Sequence, residues 1–136
     1  MQSKKYFIAN WKMYLNDSQV SRYLKIFNSL DFNNRLTSVV LCPSFTSLKT
    51  AADMNKNNNF QIGSQNISTY SNGAYTGDIS LDFINDLNCS YVILGHSERR
   101  EHYDESNALI NDKLKIVNSS SLIPIVCVGE SYEERK

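Results

Sequence analysis

Ile123-Pro124-Ile125-Val126-Cys127-Val128 is an unbroken apolar, β-branched run, and its reading decides the fold. A strand with one wet face alternates apolar and polar side chains, whereas a strand covered on both faces reads as a continuous hydrophobic stretch, as in parallel sheets. Four shorter runs of similar character precede it, at Tyr6 to Ala9, Ser38 to Cys42, Phe60 to Gly63 and Tyr91 to Leu94. Helical spacing recurs between them. Val20, Tyr23, Leu24 and Phe27 form one apolar stripe after Asp17-Ser18, where a polar side chain can cap free amides, and Leu48, Ala51 and Ala52 form a weaker second. Leu81, Ile84 and Leu87 follow Ser80 as a cap. Ile110, Leu114 and Val117 mark a fourth helix, with Asp104 and Glu105 favourable at its positive end. Strand and helix alternating in this way imply crossover units and an α/β fold with a parallel sheet.

The chain has 136 residues, of which 41% are hydrophobic and 21% charged, with five Gly and two Pro, so disordered, collagen-like and coiled-coil readings fail. Residues 1–136 are expected to form a single domain. Lys plus Arg and Asp plus Glu each number 14, and no charged block is long enough to hold a phosphate backbone or an anionic bilayer, which disfavours nucleic-acid and membrane partners. Cys42, Cys89 and Cys127 are far apart and odd in number; they read as buried free thiols in a reducing compartment. No apolar stretch approaches the roughly 20 residues of a membrane span, so a cytoplasmic location is expected.

Chemistry in parallel α/β folds gathers where strands end. Asn10, Lys12 and Met13 follow the first run, and a lysine there can present a fixed ammonium to a phosphate or an enolate oxygen, although a lone lysine is more often simply exposed. Gln65 and Asn66 follow the third run and read as loop scaffolding. Gly95-His96-Ser97-Glu98-Arg99-Arg100 follows the fourth and puts an imidazole, a hydroxyl, a carboxylate and two guanidiniums within six residues. His102 lies outside that strand end and is read as structural. Gly129-Glu130 follows the fifth; Glu130 is expected to orient a neighbouring lysine by ion pairing. The stretch Ser68 to Asp78 is long for a strand-to-helix loop and carries tyrosines, which marks it as functional or interfacial. No phosphate loop, dinucleotide fingerprint, Cys-x-x-Cys or His-Glu-x-x-His occurs, so nucleotide, dinucleotide and metal chemistry have no local support.

Taken in order, Asn10-Trp11-Lys12-Met13, Gly63-Ser64-Gln65-Asn66, Asn72-Gly73-Ala74-Tyr75-Thr76-Gly77-Asp78, Gly95-His96-Ser97-Glu98-Arg99-Arg100 and Cys127-Val128-Gly129-Glu130 resemble the triosephosphate isomerase family over essentially the whole chain. The resemblance implies a TIM (β/α)8 barrel, here only its first five strands and four helices. It also implies interconversion of dihydroxyacetone phosphate and D-glyceraldehyde 3-phosphate through an enediolate, in glycolysis and gluconeogenesis, with no cofactor and as a homodimer. Carried across by motif, Asn10 and Lys12 contact substrate and Lys12 supplies positive charge. His96 acts as a neutral electrophile at the carbonyl, a property known for this family and not read from these residues. Glu98 holds Lys12 in place, and Tyr75 and Thr76 lie at the dimer interface. Tyr14 and Asp78 depart from the family pattern, Asp78 being shorter than the usual glutamate.

A complete barrel of this type needs about 250 residues. The sequence ends at Lys136, early in the expected fifth helix, before the family's proton-abstracting glutamate, its lid and its glycine-rich phosphate loops. The isolated chain is therefore expected to be inactive, with unpaired first and last strands. The alternative is a half-barrel binding or scaffolding module that assembles with a second chain.

Overall fold

A computed structural model describes residues 4–30, 37–130 and 133–136. Five strands, β1 (Lys5–Asn10), β2 (Thr37–Cys42), β3 (Gln61–Ser64), β4 (Tyr91–Leu94) and β5 (Ile123–Val126), form one sheet in sequential order with every pairing parallel. Sequential order, with helices in the crossovers, is the arrangement of a (β/α) barrel, and these strands trace its first arc. The helices are α1 (Asp17–Phe27), α2 (Leu48–Met54) after a 3-10 turn at Phe45–Ser47, α3 (Leu81–Asp86), α4 (Ser97–His102) and α5 (Asn107–Asn118).

The sheet separates two apolar layers. On its outer face Leu41, Ile62, Val92 and Leu94 pack against helix residues Val20, Leu24, Leu48, Ile84, Ile110 and Val117, all buried. On its inner face Val40, Cys42, Tyr91 and Ile93 form a second buried cluster, against which Ile125 and Cys127 pack. Alternation along each strand sends neighbouring residues to opposite layers. Gly63 lies on the inner face where space is short, since a Cβ there would come within 2.5 Å of Cys42 Sγ. Burial pushes the Cys42 thiol up to about 12 and the Cys89 thiol up to about 11, so both stay protonated.

Several expectations change. The α1 cap is Asn16, one residue before the predicted Asp17-Ser18, because Asn16 and Gln19 form a reciprocal capping box in which each side chain accepts from the other's backbone N–H. Five α-helices are described instead of four: the polar cluster after β4 folds into α4, with the His96 side chain as its cap. Ser80 caps α3 as expected. Ser106 caps α5, while Glu105, expected to face the helix dipole, turns into the protein and ion-pairs. The run that revealed the parallel sheet is itself only partly covered: Ile123 is 51% and Val126 39% exposed, because β5 has β4 as its one neighbour among the described residues. The strand buried throughout is β4, which has a neighbour on each side. β1 is the opposite edge, with Tyr6, Phe7 and Ile8 exposed. Cys127 is half-buried rather than buried. Residues 133–135 form a turn and not the start of a helix.

Candidate active site

The C-terminal ends of β1, β3 and β4 converge on one cavity of about 500 Å³. The side chain of Trp11 leaves toward the helix layer, where its ring meets Tyr23 edge-on at 4.9 Å. Asn10, paired in register with Cys42, therefore faces the inner side of the sheet. Lys12 lies just past the strand end with φ +52°, a left-handed backbone that a side chain with a Cβ resists. Its N–H donates to Asn10 Oδ1 at 3.0 Å, and its ammonium donates to Glu98 Oε1 at 2.6 Å, across 86 residues of sequence.

Gly95, at φ +68°, turns the chain out of β4, and a Cβ there would meet Ile110 Cδ1 and an Arg100 nitrogen at 2.9 Å. Arg100 Nε donates to the Gly95 carbonyl at 2.8 Å and closes this corner. The corner presents His96 and then Glu98 to the cavity. His96 Nδ1 accepts from the Glu98 backbone N–H at 3.3 Å, so a neutral ring carries its proton on Nε2. The hydrogen bond and charge of Lys12 hold the Glu98 carboxyl below the usual carboxylate range, and Glu98 in turn raises the Lys12 ammonium above its ordinary value. The site thus offers a fixed ammonium, an imidazole N–H donor and the side-chain NH2 of Asn10, whose Oδ1 already accepts from the Lys12 N–H, an assembly of donors suited to an anionic oxygen. A larger cavity, about 740 Å³, opens at the opposite ends of the strands, but its lining of Asn, Gln, Ser and apolar residues holds no charged side chain.

Behind the cavity lies a cluster that sequence reasoning missed. Glu105, nearly fully buried, accepts from Arg99 Nε at 2.6 Å and from Lys113 Nζ at 2.7 Å; Lys113 also donates to Asn66 Oδ1 at 2.9 Å. Burial pushes the Glu105 carboxyl up, and the hydrogen bonds from Lys113 and Arg99 outweigh it, leaving the group below its ordinary value. The available signal was Lys113 itself, a charge on the apolar stripe of Ile110 and Val117. Gln65 reaches the Lys12 carbonyl at 2.8 Å. His102 lines the cavity rim and is exposed. Glu130, expected to orient a lysine, meets the Arg135 guanidinium at 3.4 Å on the surface. In the long loop Tyr70 and Tyr75 stack at 3.7 Å, Asp78 accepts from Ser68 Oγ at 2.6 Å, and Tyr75 and Thr76 are exposed. Among the described residues no group of three or more His, Cys, Asp and Glu is placed to hold a metal, and no helix is long and apolar enough to cross a membrane.

Comparison with known proteins decides what this architecture is. A model of the triosephosphate isomerase family matches residues 5–136. The chain belongs to the triosephosphate isomerase family. It is 45% identical to the triosephosphate isomerase of Dictyoglomus turgidum over 133 residues, covering 98% of this chain and 53% of that protein. Identity to the corresponding enzyme of Bifidobacterium adolescentis is 41%, over 94% of this chain and 51% of the relative, and to that of Aquifex aeolicus 38%, over 94% and 52%. The chain thus spans about half the length of the curated relatives it matches. Its parallel arc of strands is the fold of this isomerase family in part.

Proposed function

We propose that the chain carries one half of a triosephosphate isomerase site, acting on dihydroxyacetone phosphate and D-glyceraldehyde 3-phosphate in the cytoplasm. The observation that carries this reading is the Lys12–Glu98 ion pair at the cavity, with His96 beside it. Lys12 attracts the substrate phosphate and the oxygen that becomes negative, His96 Nε2–H donates to the same enediolate oxygens, and Asn10 adds a neutral contact. Glu98 is the positioning partner of Lys12. It is a poor base toward carbon, because its charge is already committed to an ammonium at 2.6 Å.

Proton removal from carbon needs a free carboxylate within reach. Among the described residues the cavity offers no carboxylate besides Glu98. The isolated chain is therefore inactive in this account, and catalysis needs the remainder of a barrel. Deuterium incorporation from D2O into the hydroxymethyl carbon of dihydroxyacetone phosphate, followed by proton NMR, tests this. The expected result with the 136-residue chain is incorporation at the buffer rate. Faster incorporation that disappears in Glu98→Gln would make Glu98 the base and contradict the assignment.

Dimerisation belongs to the same proposal. Met13 is 94%, Tyr14 81% and Tyr103 66% exposed around the cavity mouth, an apolar rim that favours cover by another surface. The projecting loop with the Tyr70–Tyr75 stack and Thr76 supplies a matching surface in a second copy.

A further inference from the structure

Lys12 holds a backbone conformation that its own side chain disfavours, so something other than local preference keeps it there. Asn10 satisfies its N–H, but a contact two residues away in sequence moves with the turn it supports. The long-range restraint on the backbone comes from β3. Gln65 Nε2 donates one hydrogen to the Lys12 carbonyl at 2.8 Å and the other to the Cys42 carbonyl at 2.9 Å, which also accepts from Trp11 N–H at 3.1 Å. One carboxamide therefore spans the ends of β1 and β2. Its own backbone is firmly seated: Ser64 is fully buried with Oγ donating to the Asn66 carbonyl at 2.6 Å, and Asn66 Oδ1 accepts from the buried Lys113 ammonium. Rigid core, β3 end, Gln65 and Lys12 form a continuous chain of contacts.

We propose that Gln65 is a positioning residue whose side-chain amide holds Lys12 in its left-handed turn, and so aims the ammonium at Glu98 and the cavity. The catalytic meaning of this rests on the isomerase reading above; the geometric claim does not. A methionine at position 65 keeps the length and removes both donors, and an asparagine keeps the amide but falls a methylene short. With the turn released, the ammonium no longer stays at hydrogen-bond distance from Glu98.

The test is a carbon-13 NMR titration of the glutamate side-chain carboxyls in the parent chain, Gln65→Met and Gln65→Asn. Glu98 faces Lys12, His96 and His102, while Glu105 faces Arg99 and Lys113 behind the cavity. In the parent, Glu98 titrates below the ordinary carboxylate range. The expected result is that Glu98 moves up toward that range in Gln65→Met, with Glu105 unchanged, and in the same direction in Gln65→Asn, which serves alone if the methionine variant does not fold. An unmoved Glu98 in a folded variant overturns the proposal, because the ion pair would then hold Lys12 without help. Glu98 and Glu105 shifting together overturns it as well, since that is general loosening. No turnover enters the measurement, so a failed isomerase assay leaves its outcome intact.

Discussion

At the scale of single residues, the site is built by groups that hold one another in unfavourable states. Lys12 stands at φ +52°, where glycine is at ease and alanine is not. Lys12→Gly is therefore expected to be more stable than Lys12→Ala by about 1 kcal/mol, read from urea midpoints, although both remove the same ammonium. The pH dependence of the Lys12–Glu98 pair follows from the directions of its shifts. Glu98 is lowered, so its contribution is present above the unfolded carboxyl value and fades as pH falls through the folded one; Lys12 is raised, so its contribution is present below the unfolded amine value and fades as pH rises through the folded one. The pair is half-exposed, and a salt titration should weaken it. Glu105 differs because it is buried with two cations. Glu105→Ala strands the Lys113 ammonium in the core and should cost about 3–5 kcal/mol in thermal or urea unfolding. A loss below 1 kcal/mol would mean that Lys113 finds water.

The strands and helices show where pattern reading succeeds and where it stops. The five apolar runs became the five strands because parallel strands between two layers need apolar residues on both faces, and sequence records that directly. Ser80 worked as a cap because its local chemistry suffices. The α1 start was missed by one residue because the reciprocal bond between Asn16 and Gln19 outcompetes Asp17 and Ser18. Helix α4 carries no apolar stripe and has no buried residue, so periodicity could not reveal it; the His96 cap and the Gly95 turn start it. The motif residues Asn10, Lys12, His96 and Glu98 were legible, and the pairing of Lys12 with Glu98 was expected from the family resemblance alone, since contacts 86 residues apart leave no local trace in spacing or periodicity. Ser106→Ala should remove the bond to the Leu109 N–H and cost about 1 kcal/mol, measured by urea unfolding. Gly63→Ala forces a Cβ toward Cys42 Sγ on the crowded inner face, and about 1–3 kcal/mol of destabilisation is expected in the same assay.

Across the whole molecule, burial is uneven in a way that matches an arc rather than a closed ring. The outer layer is complete where helices cover it, and β4 is buried from end to end. Both flanking strands expose apolar residues, Tyr6, Phe7 and Ile8 on β1 and Ile123 and Val126 on β5. Amide exchange should accordingly be slowest in β4 and much faster in β1, because an edge strand with few buried neighbours opens without global unfolding. The same edges are surfaces on which further parallel strands can add. The site sits on the arc's inner corner with Lys12, His96 and Glu98 in place, and the account assigns to the rest of a barrel the base that these residues lack.

The central claim is therefore tested most directly by adding to this chain the portion of the Dictyoglomus turgidum relative that lies beyond the matched segment, and measuring conversion of D-glyceraldehyde 3-phosphate to dihydroxyacetone phosphate in the mixture. The account predicts that neither piece turns over substrate alone, that the mixture does, and that Lys12→Met or His96→Gln in this chain abolishes the gain. A complex that forms yet stays inactive, or one whose activity is indifferent to Lys12→Met, would contradict it.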